Sequence, residues 1–183
     1  AKGCRDSGSR SVKHSAYLPA YLTWRCICLS KTTVLFVCTG NTCRSSMAEV
    51  LFRDMLKREG MDEAVEVKSA GVAAHEGQGA SPQAIEVMKK KGLDLSGHRA
   101  SQIDSELIRQ ADLILTMTES HKNMVKVLEP EAFDKTFTLK EYVGESSTDI
   151  MDPFGQPVDV YSCCAQEIEE ALRKLIDKLK TVI

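Results

Sequence analysis

Cys38 and Arg44, six positions apart, carry most of the chemistry this sequence can do. Thr39, Gly40, Asn41, Thr42 and Cys43 lie between them. The apolar run Val34-Leu35-Phe36-Val37 leads in, and serines opening a helical pattern lead out. An anion held by such a turn meets backbone N–H groups, the positive end of a helix and a guanidinium able to donate two parallel hydrogen bonds. The same field favours the thiolate form of a cysteine, and a thiolate attacks phosphorus. The pattern therefore predicts a phosphate loop of the cysteine-dependent phosphatase kind, with Cys38 as nucleophile, Arg44 as phosphate ligand and the five residues between them as the cradle.

Spacing alone does not carry this. Cys4 and Arg10 also stand six apart, but no strand precedes them and no apolar period follows, so that pair is read as accidental. Around Cys38 the context supplies a strand, a Gly-Asn turn and a helix start. Gly40 is free to take a positive φ, and Asn41 tolerates left-handed backbone better than most residues. Ser46-Met-Ala-Glu49 fits a capping box just beyond the arginine. A second group completes the reaction: cleavage needs a proton for the leaving group, and Asp152, on a loop before Pro153, is a carboxylic acid that can be held over the site. Asp149 is the weaker candidate. His75 and His121 are read as surface histidines without a role.

These groups need a scaffold, and from Thr33 onward strands and helices alternate. Val34–Val37 reads as a buried strand, and Ser45 to about Glu59 as a helix with Met47, Val50, Leu51 and Met55 on one side. Val65–Val72 reads as a second strand. Ser81-Pro82 is a helix start with a serine cap and Lys91-Gly92 its stop. Ala111–Met117 is the third strand, Glu119–Leu128 a helix, and Lys135–Val143 a fourth strand or extended segment. In the last helix Ile168, Ala171, Leu172, Leu175, Ile176, Leu179 and Ile183 follow a helical period, which marks core packing. The alternation predicts an α/β three-layer sandwich on a parallel sheet, with the active loop at the carboxyl end of the first strand.

Composition narrows the setting. With 183 residues and 43% hydrophobic content, the chain suits one domain with a real core. Residues 1–31 hold six basic residues against Asp6, while the remainder has 18 basic against 25 acidic residues. An acidic body argues against a nucleic-acid partner, and no apolar run approaches membrane-spanning length. Residues 1–31 are read as a basic leader, disordered or foreign to the fold, with an organellar transit peptide as the alternative; residues 32–183 are the domain. The seven cysteines do not form a secreted framework, and a working thiolate needs a reducing compartment, which points to the cytoplasm. Cys26-x-Cys28 lacks zinc spacing and a second ligand pair, so no metal and no cofactor are expected.

Taken in order, Val-Leu-Phe-Val-Cys38-Thr-Gly-Asn-Thr-Cys-Arg44-Ser, Ser69-Ala-Gly, Gly97-His98-Arg99-Ala100, Asp112-Leu-Ile-Leu-Thr-Met and Asp152-Pro153-Phe154-Gly155 resemble the low-molecular-weight protein tyrosine phosphatase family. The resemblance covers nearly all of Thr33–Ile183. It implies a four-stranded parallel sheet in order 2-1-3-4, Cys38 as nucleophile, Arg44 as phosphate ligand and Asp152 as general acid. It further implies that Ser45 hydrogen-bonds the thiolate and that Asn41 holds the loop with help from His98. Tyrosine-specific members carry a bulky aliphatic residue at the position of Thr42 and two aromatics after the Asp-Pro, where this chain has only Phe154. Thr42 with Asp-Pro-Phe-Gly looks like the protein arginine phosphatase branch, in which the smaller polar side chain leaves room for a guanidinium. Serine at 46 replaces the usual proline. The resemblance implies phosphorylated proteins as substrates, acted on by a monomer.

Two other activities fit less well. Arsenate reductases share the loop but need two further cysteines roughly eighty residues on, and none lies between Cys43 and Cys163. A phosphocarrier needs no general acid, whereas this chain supplies Asp152. Because Cys38 and Cys43 share one loop, sulfenic acid on Cys38 could be captured as a disulfide; the alternative is that Cys43 packs beneath the loop.

Overall fold

A computed structural model of the protein describes residues 31–181. Four strands, β1 (Thr32–Cys38), β2 (Val65–Gly71), β3 (Leu113–Thr116) and β4 (Thr136–Thr138), form one parallel sheet in the order β2-β1-β3-β4. The predicted architecture and strand order are both present. β1 is central, pairing with β2 from Thr32↔Val65 to Cys38↔Gly71 and with β3 from Val34↔Leu113 to Val37↔Thr116.

Strand alternation sorts the core into two layers. Val34, Phe36 and Cys38 of β1, with Leu113 and Leu115 of β3, face α1 (Arg44–Arg58), α2 (Pro82–Lys90) and the long α6 (Val158–Lys180). Leu35, Val37 and Ile114 face the other way, with Ile108 of α3 (Ser105–Gln110) and Val125 of α4 (Glu119–Leu128). Phe36 meets Phe52 edge-on, ring centroids 5.6 Å apart. In α6 the predicted stripe Ile168, Ala171, Leu172, Leu175, Ile176 and Leu179 is buried; Ile183 and residues 1–30 lie outside the described residues. In α1, Met47 and Leu51 are buried as expected, while Val50 and Met55 are only partly so.

Several local expectations are corrected. Lys135–Val143 is not one strand. A 3-10 turn over Pro130–Lys135 leads into β4, and Thr138 then caps a short helix, α5 (Leu139–Tyr142). The helix α1 begins at Arg44, so Ser46 is already inside it. Its hydroxyl donates to the Cys43 carbonyl at 2.9 Å, and no capping box forms there. The third strand is shorter than Ala111–Met117: it runs from Leu113 to Thr116, and Ala111 is instead the C-cap of α3. For α2 the expectation stands: the Ser81 hydroxyl accepts the Ala84 N–H at 3.3 Å and Pro82 opens the helix.

Candidate active site

The loop between β1 and α1 lies at the carboxyl end of the central strand, where the sheet order reverses, as open α/β sheets favour for ligands. Its carbonyls are tied outward. Val72 N–H donates to Cys38 O, Ala73 N–H to Thr39 O, Ser81 N–H to Thr42 O and Met47 N–H to Cys43 O, all at 2.9–3.0 Å, and His98 Nε2 lies 2.6 Å from Asn41 O. In a planar trans peptide the following N–H points opposite the carbonyl. The amides of Thr39, Gly40, Thr42, Cys43 and Arg44 are thereby turned away from those partners, and the N-terminus of α1 adds its positive end.

Asn41 fastens the loop. It is fully buried, with φ 55°. Its Nδ2 donates to Ser45 Oγ at 2.9 Å and to Ser69 Oγ at 2.8 Å, while its Oδ1 accepts the Ser101 N–H at 2.9 Å. Ser69 in turn donates to Glu49. Gly40 does not use the positive φ expected of it; Asn41 alone among the non-glycine residues described does so. The close approach is made by Gly71 instead. A Cβ there would sit 2.5 Å from Thr39 O and 2.9 Å from Asn41 N.

Cys38 ends β1 at 3% exposure, its Sγ 2.9 Å from Ser45 Oγ. Arg44, 4% exposed, places Nη2 2.6 Å from Asp152 Oδ2 and donates from Nη1 to Ile150 O at 3.2 Å. Asp152 is half-exposed, and its other oxygen accepts the Phe154 N–H at 3.1 Å. Cys38, Thr39, Gly40, Thr42, Cys43, Arg44, Asp152 and Phe154 line one pocket of about 270 Å³. His75, Gln78 and Ala73 close its rim, so His75 is exposed yet borders the pocket. Asn41 and Ser45 stand behind this wall.

Cys43 packs beneath the loop. Its thiol lies 3.3 Å from the Tyr161 hydroxyl and 3.5 Å from Ser81 Oγ. Burial, and then the Cys43 contact, push the Tyr161 phenol up to about 12. On α6 Cys163 is exposed and Cys164 buried, with the Cys164 thiol raised to about 12, burial being the main cause. Asp149 is not over the pocket; it accepts the Glu119 N–H at 2.8 Å and so ties the acid-bearing loop to the start of α4.

His121 is the residue the sequence reading missed. It is 5% exposed rather than on the surface, with Nε2 2.8 Å from Thr39 Oγ1 and Nδ1 2.8 Å from Thr118 Oγ1. The signal was present in Thr118-Glu-Ser-His121, a cap followed three residues later by a side chain that returns over it.

A thiol at the end of a parallel strand, an anion-holding turn and an opposed carboxylate on this sheet define a phosphoryl-transfer site of the cysteine class. The chain belongs to the low molecular weight phosphotyrosine protein phosphatase family, whose model matches residues 33–182, and it is a phosphatase enzyme. Among its relatives, the protein-arginine-phosphatases of Geobacillus stearothermophilus and Bacillus subtilis are 48% and 46% identical. They cover 81% and 80% of this chain, and 96% of each relative is matched. A solved structure described as YwlE arginine phosphatase, a cysteine-to-serine mutant with phosphorylated active site serine, superposes with a TM-score of 0.78. It is 45% identical, and the match covers 81% of this chain and 95% of that one.

Proposed function

We propose that the protein hydrolyses phosphoarginine in proteins through a cysteinyl-phosphate intermediate. Cys38 Sγ attacks phosphorus while Arg44 and the loop amides hold the phosphoryl oxygens. The P–N bond breaks as Asp152 gives its proton to the departing guanidine nitrogen. Water then attacks the S–P bond, with the Asp152 carboxylate taking the water's proton, and phosphate leaves as the Cys38 thiolate is restored. Ser45 steadies the thiolate, and Asn41 with His98 keeps the loop in shape.

The observation that carries the arginine reading is Thr42 lining the same pocket as Cys38, Arg44 and Asp152. A small hydroxyl-bearing side chain leaves room for a planar guanidine group and can hydrogen-bond it, and Asp152 can hydrogen-bond the same group before giving up its proton. The names of the two relatives agree with it. Phosphotyrosine is the second reading, favoured by Phe154, which is 72% exposed at the pocket wall and offers a ring for stacking. The proposal includes action as a monomer in the reducing cytoplasm, on phosphorylated proteins, without a metal or cofactor and without nucleic-acid or membrane partners. No helix among the described residues is long and apolar enough to cross a membrane.

The test is a comparison of phosphoarginine, phosphotyrosine and phosphoserine peptides with the wild-type chain and Thr42→Ile. The wild type is expected to favour phosphoarginine. The isoleucine removes a polar partner from a charged group and adds apolar contact for a phenyl ring. It is expected to shift the ratio of kcat/KM values toward tyrosine by on the order of ten- to a hundred-fold. Equal losses on both substrates would mean that Thr42 only shapes the loop, and the arginine assignment would fall.

A further inference from the structure

His121 is a buried titratable side chain in direct contact with the phosphate loop, and the reaction described above does not use it. It sits in the first turn of α4 and bridges two hydroxyls, Thr118 Oγ1 at Nδ1 and Thr39 Oγ1 at Nε2, each at 2.8 Å. Burial, and then the positive charge of Arg44, push the imidazole down to about 4, against the opposing pull of Asp152 and Asp149. The ring is therefore neutral at ordinary pH, and one of its two nitrogens carries the proton.

Thr118 decides which. As the cap of α4, its Oγ1 already accepts the His121 backbone N–H at 3.3 Å. A hydroxyl has one proton to give. Giving it to Nδ1, while one lone pair holds the His121 N–H, satisfies Thr118 as both donor and acceptor and leaves the ring proton on Nε2. Accepting from Nδ1 instead would leave the Thr118 proton with no acceptor among the described side chains. Nε2–H then donates to Thr39 Oγ1. With a lone pair so occupied, the proton of Thr39 is released for another acceptor, and Thr39 lines the pocket shared by Cys38 and Arg44. The opposite tautomer would draw the Thr39 proton toward the imidazole and present an oxygen lone pair to an oxyanion, a repulsive arrangement.

We propose that Thr118, His121 and Thr39 form a positioning relay that fixes the Thr39 hydroxyl as a hydrogen-bond donor to a phosphoryl oxygen in the pocket. Thr39 touches the substrate; His121 acts through it. This rests on the phosphatase reading, and it adds to the loop amides a side-chain donor whose polarity is set from a second element.

The relay separates from a packing role in two measurements. First, the ring nitrogens of His121 are followed by long-range ¹H–¹⁵N correlation in the full chain with inorganic phosphate. The Nε2–H tautomer is expected, and the Nδ1–H tautomer would overturn the proposal. Second, kcat/KM is compared for His121→Gln, whose amide nitrogen falls near Nε2, and His121→Asn, whose amide falls near Nδ1. Gln is expected to stay within a few-fold of wild type. Asn is expected to lose about 10- to 100-fold, the range for a hydrogen bond to a charged group. Thr39→Val is expected to lose as much, and adding His121→Asn to it to cost nothing further. Equal losses for Gln and Asn, or additive losses in the double variant, would overturn the relay. Should the asparagine variant not fold, Thr39→Val against Thr39→Ser tests the hydroxyl, with loss expected in the first and retention in the second, and the tautomer measurement carries the part played by His121. Absence of turnover by the wild type would instead defeat the phosphatase reading and leave the tautomer result standing.

Discussion

Single side chains, alongside the backbone bonds of the loop, hold the groups of the site in place. Asn41 answers for three neighbours at once, and Ser45 passes its contact on to the Cys38 thiol. In the proposed mechanism Asp152 is different in kind, since there it reacts rather than supports. Asp152→Ala is expected to lower turnover by roughly 10²–10⁴-fold, the range for a positioned acid. The loss should shrink sharply for an aryl phosphate whose leaving group needs no proton, as a comparison of the two substrate types would measure. His121 carries a stability prediction of its own. Its folded-state pKa is about 4 and its ordinary value 6.5, so between these values the unfolded chain binds a proton that the folded chain refuses. Its contribution is fully present above about pH 6.5 and is lost as pH falls toward 4. The loss is at most about 3 kcal/mol, and solvent screening lowers it further. Denaturant titrations of wild type and His121→Gln at pH 7 and 4.5 should show the wild type losing more between the two conditions.

At the scale of elements, β2 matters to the site without contributing a reacting group. Gly71 lies where a Cβ would collide with two backbone atoms of the phosphate loop, and backbone cannot swing aside as a side-chain end does. Gly71→Ala should therefore displace the loop, cutting kcat/KM by well over tenfold, while circular dichroism reports an intact sheet; retained activity would show the loop to be compliant. The elements also show how far the sequence could be read. The α6 stripe, the α2 cap and the bounds of α4 follow from hydrophobic period and end chemistry, and the loop carrying Cys38 and Arg44 from its residue types and setting, whereas the strand order rests on the family resemblance. The capping-box pattern was assigned to Ser46–Glu49, but α1 starts two residues before Ser46, with its first turn governed by the phosphate loop. The box that forms is Thr138–Glu141, with both reciprocal hydrogen bonds, inside a stretch whose β-branched and aromatic residues suggested a strand throughout. His121 was misread because its burial comes from α4 packing over the loop, a tertiary fact with no local period. The demand on Gly71 has no local sign for a similar reason: it comes from a loop thirty residues earlier in the chain.

Across the whole molecule, Cys38 and Asp152 meet because two segments distant in the chain are fastened at the carboxyl end of the sheet. Cys38 closes β1, while the segment bearing Asp152 is pinned by Ile150 N–H to Met117 O at 2.8 Å, by Asp149 at the start of α4, and by Arg44 to Ile150 O. The Cys164 thiol adds a contact to Met151 O from α6 at 3.5 Å. Arg44 thus belongs to both halves of the site, and its 2.6 Å pairing with Asp152 makes the enzyme its own competitive inhibitor. An incoming phosphoryl group must win the guanidinium from an internal carboxylate. The cost of that exchange is subtracted from affinity for every anion the pocket takes. Removing the carboxylate should then give a slower enzyme that holds its product more tightly. Isothermal titration with inorganic phosphate is expected to find a several-fold lower Kd for Asp152→Ala than for wild type, the modest size reflecting the half-exposed position of Asp152. An unchanged or higher Kd would mean that the ion pair does not restrain Arg44.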